Sequence, residues 1–131
     1  MDCLRGLDYA IKLGWFSFKT FNLNEYEHFE RVENGDLNWI IPNKFVAFSS
    51  PYDKTVDKYG VILSLSKNKL FSPKDYIPIF KKFGVTMVIR LNNKTYDAAG
   101  FTNNGIKHHD LFFTDGTAPS ISIVEQFLEI V

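Results

Sequence analysis

Few residues in this chain of 131 are arranged as chemistry requires, and Asp115 is the most suggestive of them. It lies in LFFTDGTAP, Leu111 to Pro119, where an apolar run stops at a carboxylate and Gly, Thr, Ala and Pro follow. A carboxylate at the mouth of a strand, on a turn-forming loop, is placed to donate a proton. A positioned general acid is worth ~10²–10⁴-fold in rate. The same residue suits an Asx-type turn before Gly116, so the residues alone leave both readings open.

The other candidates are weaker. His108-His109-Asp110 has the residue types of a metal site, but neighbours on a strand point to opposite faces. Two such rings cannot share one ion without distortion, so each is expected as a satisfied or solvated ring and no metal is assigned. Cys3 is the only cysteine. A phosphate-cradling Cys-x-x-x-x-x-Arg loop would need arginine where Tyr9 stands, and Arg5, Arg31 and Arg90 do not follow a cysteine at that spacing. There is no Walker-type glycine loop. Cys3 is therefore expected as a small packing residue rather than a nucleophile. Glu25, Glu27, Glu30 and Glu33 make one segment acidic, either a solvated face or a groove for a basic residue of a protein substrate. Arg31, four positions after Glu27, is spaced to neutralise part of it.

The elements that must position these residues alternate in type. Leu4, Leu7 and Ile11 predict a helix over Asp2–Leu13, with Gly14 as its stop. Asn22 or Asn24 caps a second helix through EYEHFERVEN, closed by Asn34-Gly35-Asp36. NWIIPNKFVAFSSP reads as one or two strands broken at Pro42. Ser72-Pro73-Lys74-Asp75 opens a helix whose buried face is Tyr76, Phe80 and Phe83. Pro78 lies inside it and predicts a kink or an early end. Val85 to Leu91 is a β-branched strand, YDAAGFTNNG a short helix or turn, and IKHHDLFF the strand that delivers Asp115. Ser120 or Ser122 caps a last helix with Val124, Phe127, Leu128 and Val131 on one face. This alternation predicts an α/β architecture with a largely parallel sheet, in which ligands bind at the carboxyl ends of strands.

Composition sets the outer limits. An apolar share of 45% supports a packed core, and 16% aromatics predict that rings fill it. Acidic and basic residues balance at 15 each, so no global basic field points to nucleic acid. No apolar run is long enough to span a bilayer and no secretory start is visible, so a soluble intracellular protein is the expectation. The single cysteine excludes an intramolecular disulfide and agrees with a reducing compartment.

Four blocks carry a family resemblance: FNLNEYEHFERVENGDLNWIIPNKFVAFSSP, FKKFGVTMVIRLNNKTYDA, GIKHHDLFFTDGTAPS and VEQFLEI. Through them, over nearly its whole length, the chain resembles the mitotic-exit dual-specificity protein phosphatases, the cell division cycle protein fourteen family. The resemblance implies two phosphatase-like domains joined by a helical linker. Residues 1–37 would then be the end of the first domain and the linker. Residues 38–131 would be the N-terminal part of the catalytic, phosphotyrosine-phosphatase-like domain. It implies a fragment, because the family's His-Cys-x-x-x-x-x-Arg loop follows the helix in which this chain stops, at Val131.

Residue by residue, the resemblance gives Asp115 the role of general acid and Glu27 a place in an acidic substrate groove. The nucleophile and the phosphate-binding arginine have no counterpart. It implies no cofactor and no metal. The implied substrates are phosphoproteins with Ser-Pro sites followed by a basic residue, with no nucleic-acid or membrane partner. The implied setting is cell-cycle control in nucleus and cytoplasm, at the spindle pole or centrosome. Two departures stand out. Ala99-Gly100 replaces a basic pair, and VILSLSK, Val61 to Lys67, lengthens the Tyr59–Phe71 connection as an extra strand or as translated non-coding sequence. A phosphatase fragment inactive alone is the leading expectation. The alternative is a non-catalytic phosphoprotein-binding or decoy module, and a small-molecule α/β binder stands third, on fold analogy only.

Overall fold

A computed structural model describes residues 1–53 and 71–131. The Val61–Lys67 stretch lies outside the described residues. By contacts the chain divides into two compact units, Met1–Ser49 and Ser50–Val131.

The first unit opens with helix α1, Asp2–Lys12. Gly14, at φ 72°, takes the left-handed conformation that lets the helix close. The Trp15 N–H then bonds back to the Ala10 carbonyl at 2.8 Å, satisfying an end group that the helix cannot. The stripe that predicts this helix is not buried, with Leu4 at 72% and Ile11 at 44% exposure. Cys3 is exposed as well, which overturns its reading as a packing residue. Helix α2, Leu23–Phe29, starts where Asn22 accepts a hydrogen bond from the Glu25 N–H at 3.1 Å. It ends earlier than its sequence pattern predicts. A separate 3-10 turn, Val32–Asn34, follows, and Gly35 closes it at φ 114°. Strands β1, Leu37–Ile41, and β2, Phe45–Phe48, form an antiparallel hairpin. The break expected at Pro42 is its turn, with Asn43 at φ 60°.

The second unit is built around helix α3, Pro73–Phe83. The Asp75 carboxylate reaches back to the Ser72 N–H at 2.8 Å and to its hydroxyl at 2.7 Å, tying down the first turn. At the other end, Gly84 at φ 70° lets Val85 N–H bond the Phe80 carbonyl at 2.9 Å. Pro78 does not end the helix. Its ring is exposed, so the lost donor opens toward water rather than into the core.

Strand β3, Met87–Arg90, pairs in parallel with β4, Lys107–Asp110, and α4, Ala99–Thr102, lies in the crossover between them. A parallel pair requires such a crossover. Helix α5, Ile121–Ile130, closes the sequence of elements, with Ser120 Oγ accepting from Ile123 N–H at 3.3 Å. The chain is thus mixed α/β. Among the described residues the parallel pairing is β3 with β4, and the other pair is the antiparallel hairpin.

Rings fill the core of this unit, as the aromatic content predicts. Phe71, Tyr76, Phe80 and Phe101 follow one another with centroids 5.0, 5.3 and 5.7 Å apart, the first pair tilted and the other two stacked. Phe80 and Phe101 are fully buried, each worth about 1.5–3 kcal/mol by transfer. Gly100 sits where α4 meets α3. A Cβ there would lie 2.6 Å from Pro73 Cβ, so this packing excludes any side chain at the position.

Candidate active site

Asp115 stands on the loop that leaves the carboxyl end of β4. The parallel ladder continues past the strand's formal end: Leu111 N–H donates to the Arg90 carbonyl at 2.9 Å and Phe113 N–H to the Leu91 carbonyl at 3.1 Å. Thr114 then starts a turn, its carbonyl accepting from Thr117 N–H at 3.2 Å and from Thr117 Oγ1 at 2.5 Å. Gly116 supplies the positive φ of 73° that the turn needs. Asp115 itself is exposed, and its Oδ1 accepts the Gly116 N–H at 2.9 Å. The Asx-type turn foreseen for this carboxylate needs an N–H two residues on, and here the Thr117 N–H goes to the Thr114 carbonyl instead, so Asp115 sits in a backbone-closed turn. Its exposure also leaves the second oxygen accessible to a ligand.

Beneath the loop lies a polar cluster that sequence patterning missed. Arg90 Nε donates to Asp110 Oδ1 at 2.7 Å and Nη2 to Oδ2 at 2.9 Å, a two-pronged pair. Its third nitrogen, Nη1, donates to the Tyr96 carbonyl at 2.8 Å, and the guanidinium carbon lies 4.6 Å from the Tyr96 ring centroid. The Tyr96 hydroxyl meets His108 Nε2 at 2.8 Å. His108 Nδ1 lies 3.9 Å from Asp110 Oδ1. Phe101 stacks on the His108 ring at 6.3 Å.

Electrostatics follow from this packing. Hydrogen bonds from Arg90, and then its charge, hold the Asp110 carboxyl below the usual range. Burial depresses His108 and keeps it neutral, outweighing the opposing pull of Asp110. Burial pushes the Tyr96 phenol up to about 12. One signal for this cluster was present in the sequence: Arg90 is a lone cation at the end of the apolar run VTMVI. Its counterion could not be named without the register that sets Arg90 opposite Asp110.

The two histidines do separate to opposite faces, His108 inward with its side chain 3% exposed and His109 outward. Glu27 belongs to the first unit, exposed on α2, while Asp115 belongs to the second. Arg31 does not neutralise Glu27. Helix α2 stops at Phe29, and Arg31 is extended at φ −70°, ψ 137°, so the helical spacing that would pair them is lost. Glu25 is partly covered and its N–H is spent on the Asn22 cap.

No protein-family model matches the chain. It is 50% identical over 130 residues to the dual specificity protein phosphatase CDC14A of Homo sapiens, covering 99% of this chain and 21% of that protein. Against CDC14B of Mus musculus the identity is 48%, covering 99% and 25%. Against the tyrosine-protein phosphatase cdc-14 of Caenorhabditis elegans it is 42%, covering 99% and 17%. The chain belongs to the CDC14 family. It spans about a fifth of the length of the human relative. The CDC14 match runs through both units, so Glu27 and Asp115 both lie within the aligned residues. Gly100 gives one family-level expectation its physical limit: a basic side chain at this position, as the resemblance implies for relatives, does not fit against Pro73 here.

Proposed function

We propose that this chain carries the general-acid loop and part of the substrate surface of a Cys-dependent, dual-specificity protein phosphatase. The observation that carries the reading is the 50% identity to human CDC14A over 99% of the chain. In the proposed reaction a thiolate attacks phosphorus, an S–P bond forms and the P–O bond to the substrate breaks. Asp115, protonated, gives its proton to the departing serine, threonine or tyrosine oxygen. Water then cleaves the S–P bond, with Asp115 as the carboxylate that accepts its proton. The thiolate would come from a Cys-x-x-x-x-x-Arg loop, which these 131 residues do not include. The chain alone is therefore expected to leave an aryl phosphate unhydrolysed.

On this reading the substrates are phosphoproteins at Ser-Pro sites followed by a basic residue. Glu27, exposed on α2, supplies negative charge toward that base. The biological setting proposed from the family is cell-cycle control at mitotic exit, in nucleus and cytoplasm and at the spindle pole or centrosome. Residues 1–37 are proposed as the end of a first domain and a helical linker, and 38–131 as the N-terminal part of the catalytic domain.

The test is a chimera in which these residues replace the aligned segment of human CDC14A. It should hydrolyse phosphopeptides, and Asp115→Asn should lower kcat by ~10²–10⁴-fold. An active chimera indifferent to Asp115→Asn would overturn the assignment. A second reading, a non-catalytic phosphoprotein-binding module, rests on Glu27, a carboxylate exposed on α2. It expects salt-sensitive binding of phosphoserine-Pro-x-Lys peptides to the chain itself, weakened by Glu27→Gln; a flat titration at low salt removes it.

A further inference from the structure

We propose that the Arg90–Asp110 ion pair is a positioning device for Asp115, fixing the point from which the acid's turn leaves the sheet. The inference rests on the reading of Asp115 as proton donor and adds two residues that act through the backbone rather than on substrate.

Three observations carry it. Asp110 is the last residue of β4 and stands in register with Arg90, so the pair joins the two strands at their carboxyl ends. All three guanidinium nitrogens are engaged, on Asp110 and on the Tyr96 carbonyl, and the Arg90 side chain is 3% exposed. A planar fork held at both ends has one orientation, which a flexible ammonium would not. Finally, Thr114 to Ala118 are all exposed, so the turn has no buried anchor of its own. Its last ladder bond is Phe113 N–H to the Leu91 carbonyl, two residues before the acid. On one side the turn's placement therefore depends on how firmly β4 is held against β3. On the other it depends on the Ser120 cap of α5. Misplacing a catalytic group by about 1 Å can cost ~10²-fold in rate, so such a clamp matters to a proton donor.

The experiment is heteronuclear NMR on the full chain. The Gly116 amide lies in the turn beside Asp115, so its heteronuclear NOE reports how firmly that turn is held. In Asp110→Asn, the Phe113 amide should exchange at least about tenfold faster. The Gly116 heteronuclear NOE should fall clearly as the turn loosens. Amides in the middle of α3, which open only with the whole fold, should accelerate clearly less than Phe113. Asp110→Glu, which restores the charge, should recover most of both signals. If Asp110→Asn does not fold, Arg90→Lys gives the same readout, since it keeps the buried cation but cannot hold both carboxylate oxygens in one plane. An unchanged Gly116 heteronuclear NOE in the variants overturns the proposal. So does a rise in α3 exchange in step with Phe113, which would mean a general loss of stability. The measurement reads placement and not turnover, so it stands or falls separately from the Asp115→Asn result in the chimera.

Discussion

Arg90 and Asp110 form a lopsided pair: the arginine side chain is 3% exposed and the aspartate side chain 57%. The cation has been taken out of water and depends on its partner, whereas the anion still faces solvent. Breaking the pair from one end is therefore not equivalent to breaking it from the other.

The expected consequence is an ordering of variants. Asp110→Ala strands a buried guanidinium, for which breaking a fully buried pair costs about 3–5 kcal/mol. Half of this pair is solvated, so about 1–3 kcal/mol is expected. Arg90→Met keeps much of the packing on the Tyr96 ring and leaves an aspartate that water can serve, so it should cost less. Urea unfolding of the two variants checks the order, and a larger loss for Arg90→Met would contradict the account.

The pH dependence follows from the same cluster. His108 has a folded pKa below its ordinary 6.5, because burial disfavours the imidazolium. As pH falls below about 6.5 the unfolded chain takes up the proton first. The His108 contribution is thus full above that value and is lost as pH falls through the depressed folded pKa. Asp110 has the same sign at lower pH, full above 3.8 and lost below it. Tyr96 acts at the other extreme: its contribution is full below 10 and is lost as pH rises toward about 12. Unfolding free energy should therefore decline as pH falls below about 6.5, and His108→Gln should flatten that limb.

What could be foreseen divides by the range of the interaction. The start of α3 was legible because Ser72 and Asp75 bond each other across one turn, and its end because Gly84 follows the last apolar position. The β1–β2 break at Pro42 was legible for the same local reason. Where the outcome turned on orientation, the pattern misled. Pro78 left an early end open as an alternative to a kink, but its ring faces water and the helix runs on to Phe83. Glu27 and Arg31 have helical spacing, but the helix ends between them. The clamp was illegible because its partners lie 20 residues apart, on strands whose parallel register no local pattern states. Asp115 was recognisable as a loop carboxylate after a strand, while its chemical role came only from the family blocks around it.

Gly100 makes a sharp packing prediction. The 2.6 Å approach of a Cβ to Pro73 Cβ is too close for any side chain without movement of α4 against α3. Gly100→Ala should therefore destabilise by about 1–3 kcal/mol, as over-packed sites do. The gain of up to ~1 kcal/mol from helix propensity does not reverse the sign, because α4 is only four residues long. Thermal unfolding measures this directly. A companion Gly100→Ala, Pro73→Ala variant should recover only a small part of the loss, since Pro73 Cγ, at 3.0 Å from that Cβ, is removed but the closer Cβ, at 2.6 Å, stays.

Helix α5 carries the last prediction. It contains no buried residue, and Ile121 is 77% and Leu128 66% exposed, with Val124 and Val131 above 40% as well. Single exposed leucines need no explanation, but several on one short helix form a continuous apolar strip. In solution such a strip should drive association of the chain as its concentration rises. Replacing Ile121 and Leu128 together by glutamate removes the two most exposed members and adds two charges. Because neither packs against the core, unfolding free energy should stay within about 0.5 kcal/mol per site. Light scattering at high protein concentration should fall clearly. A double variant that scatters as the parent does would mean that association runs through another surface; one that unfolds much more easily would mean that these side chains are buried in the working protein.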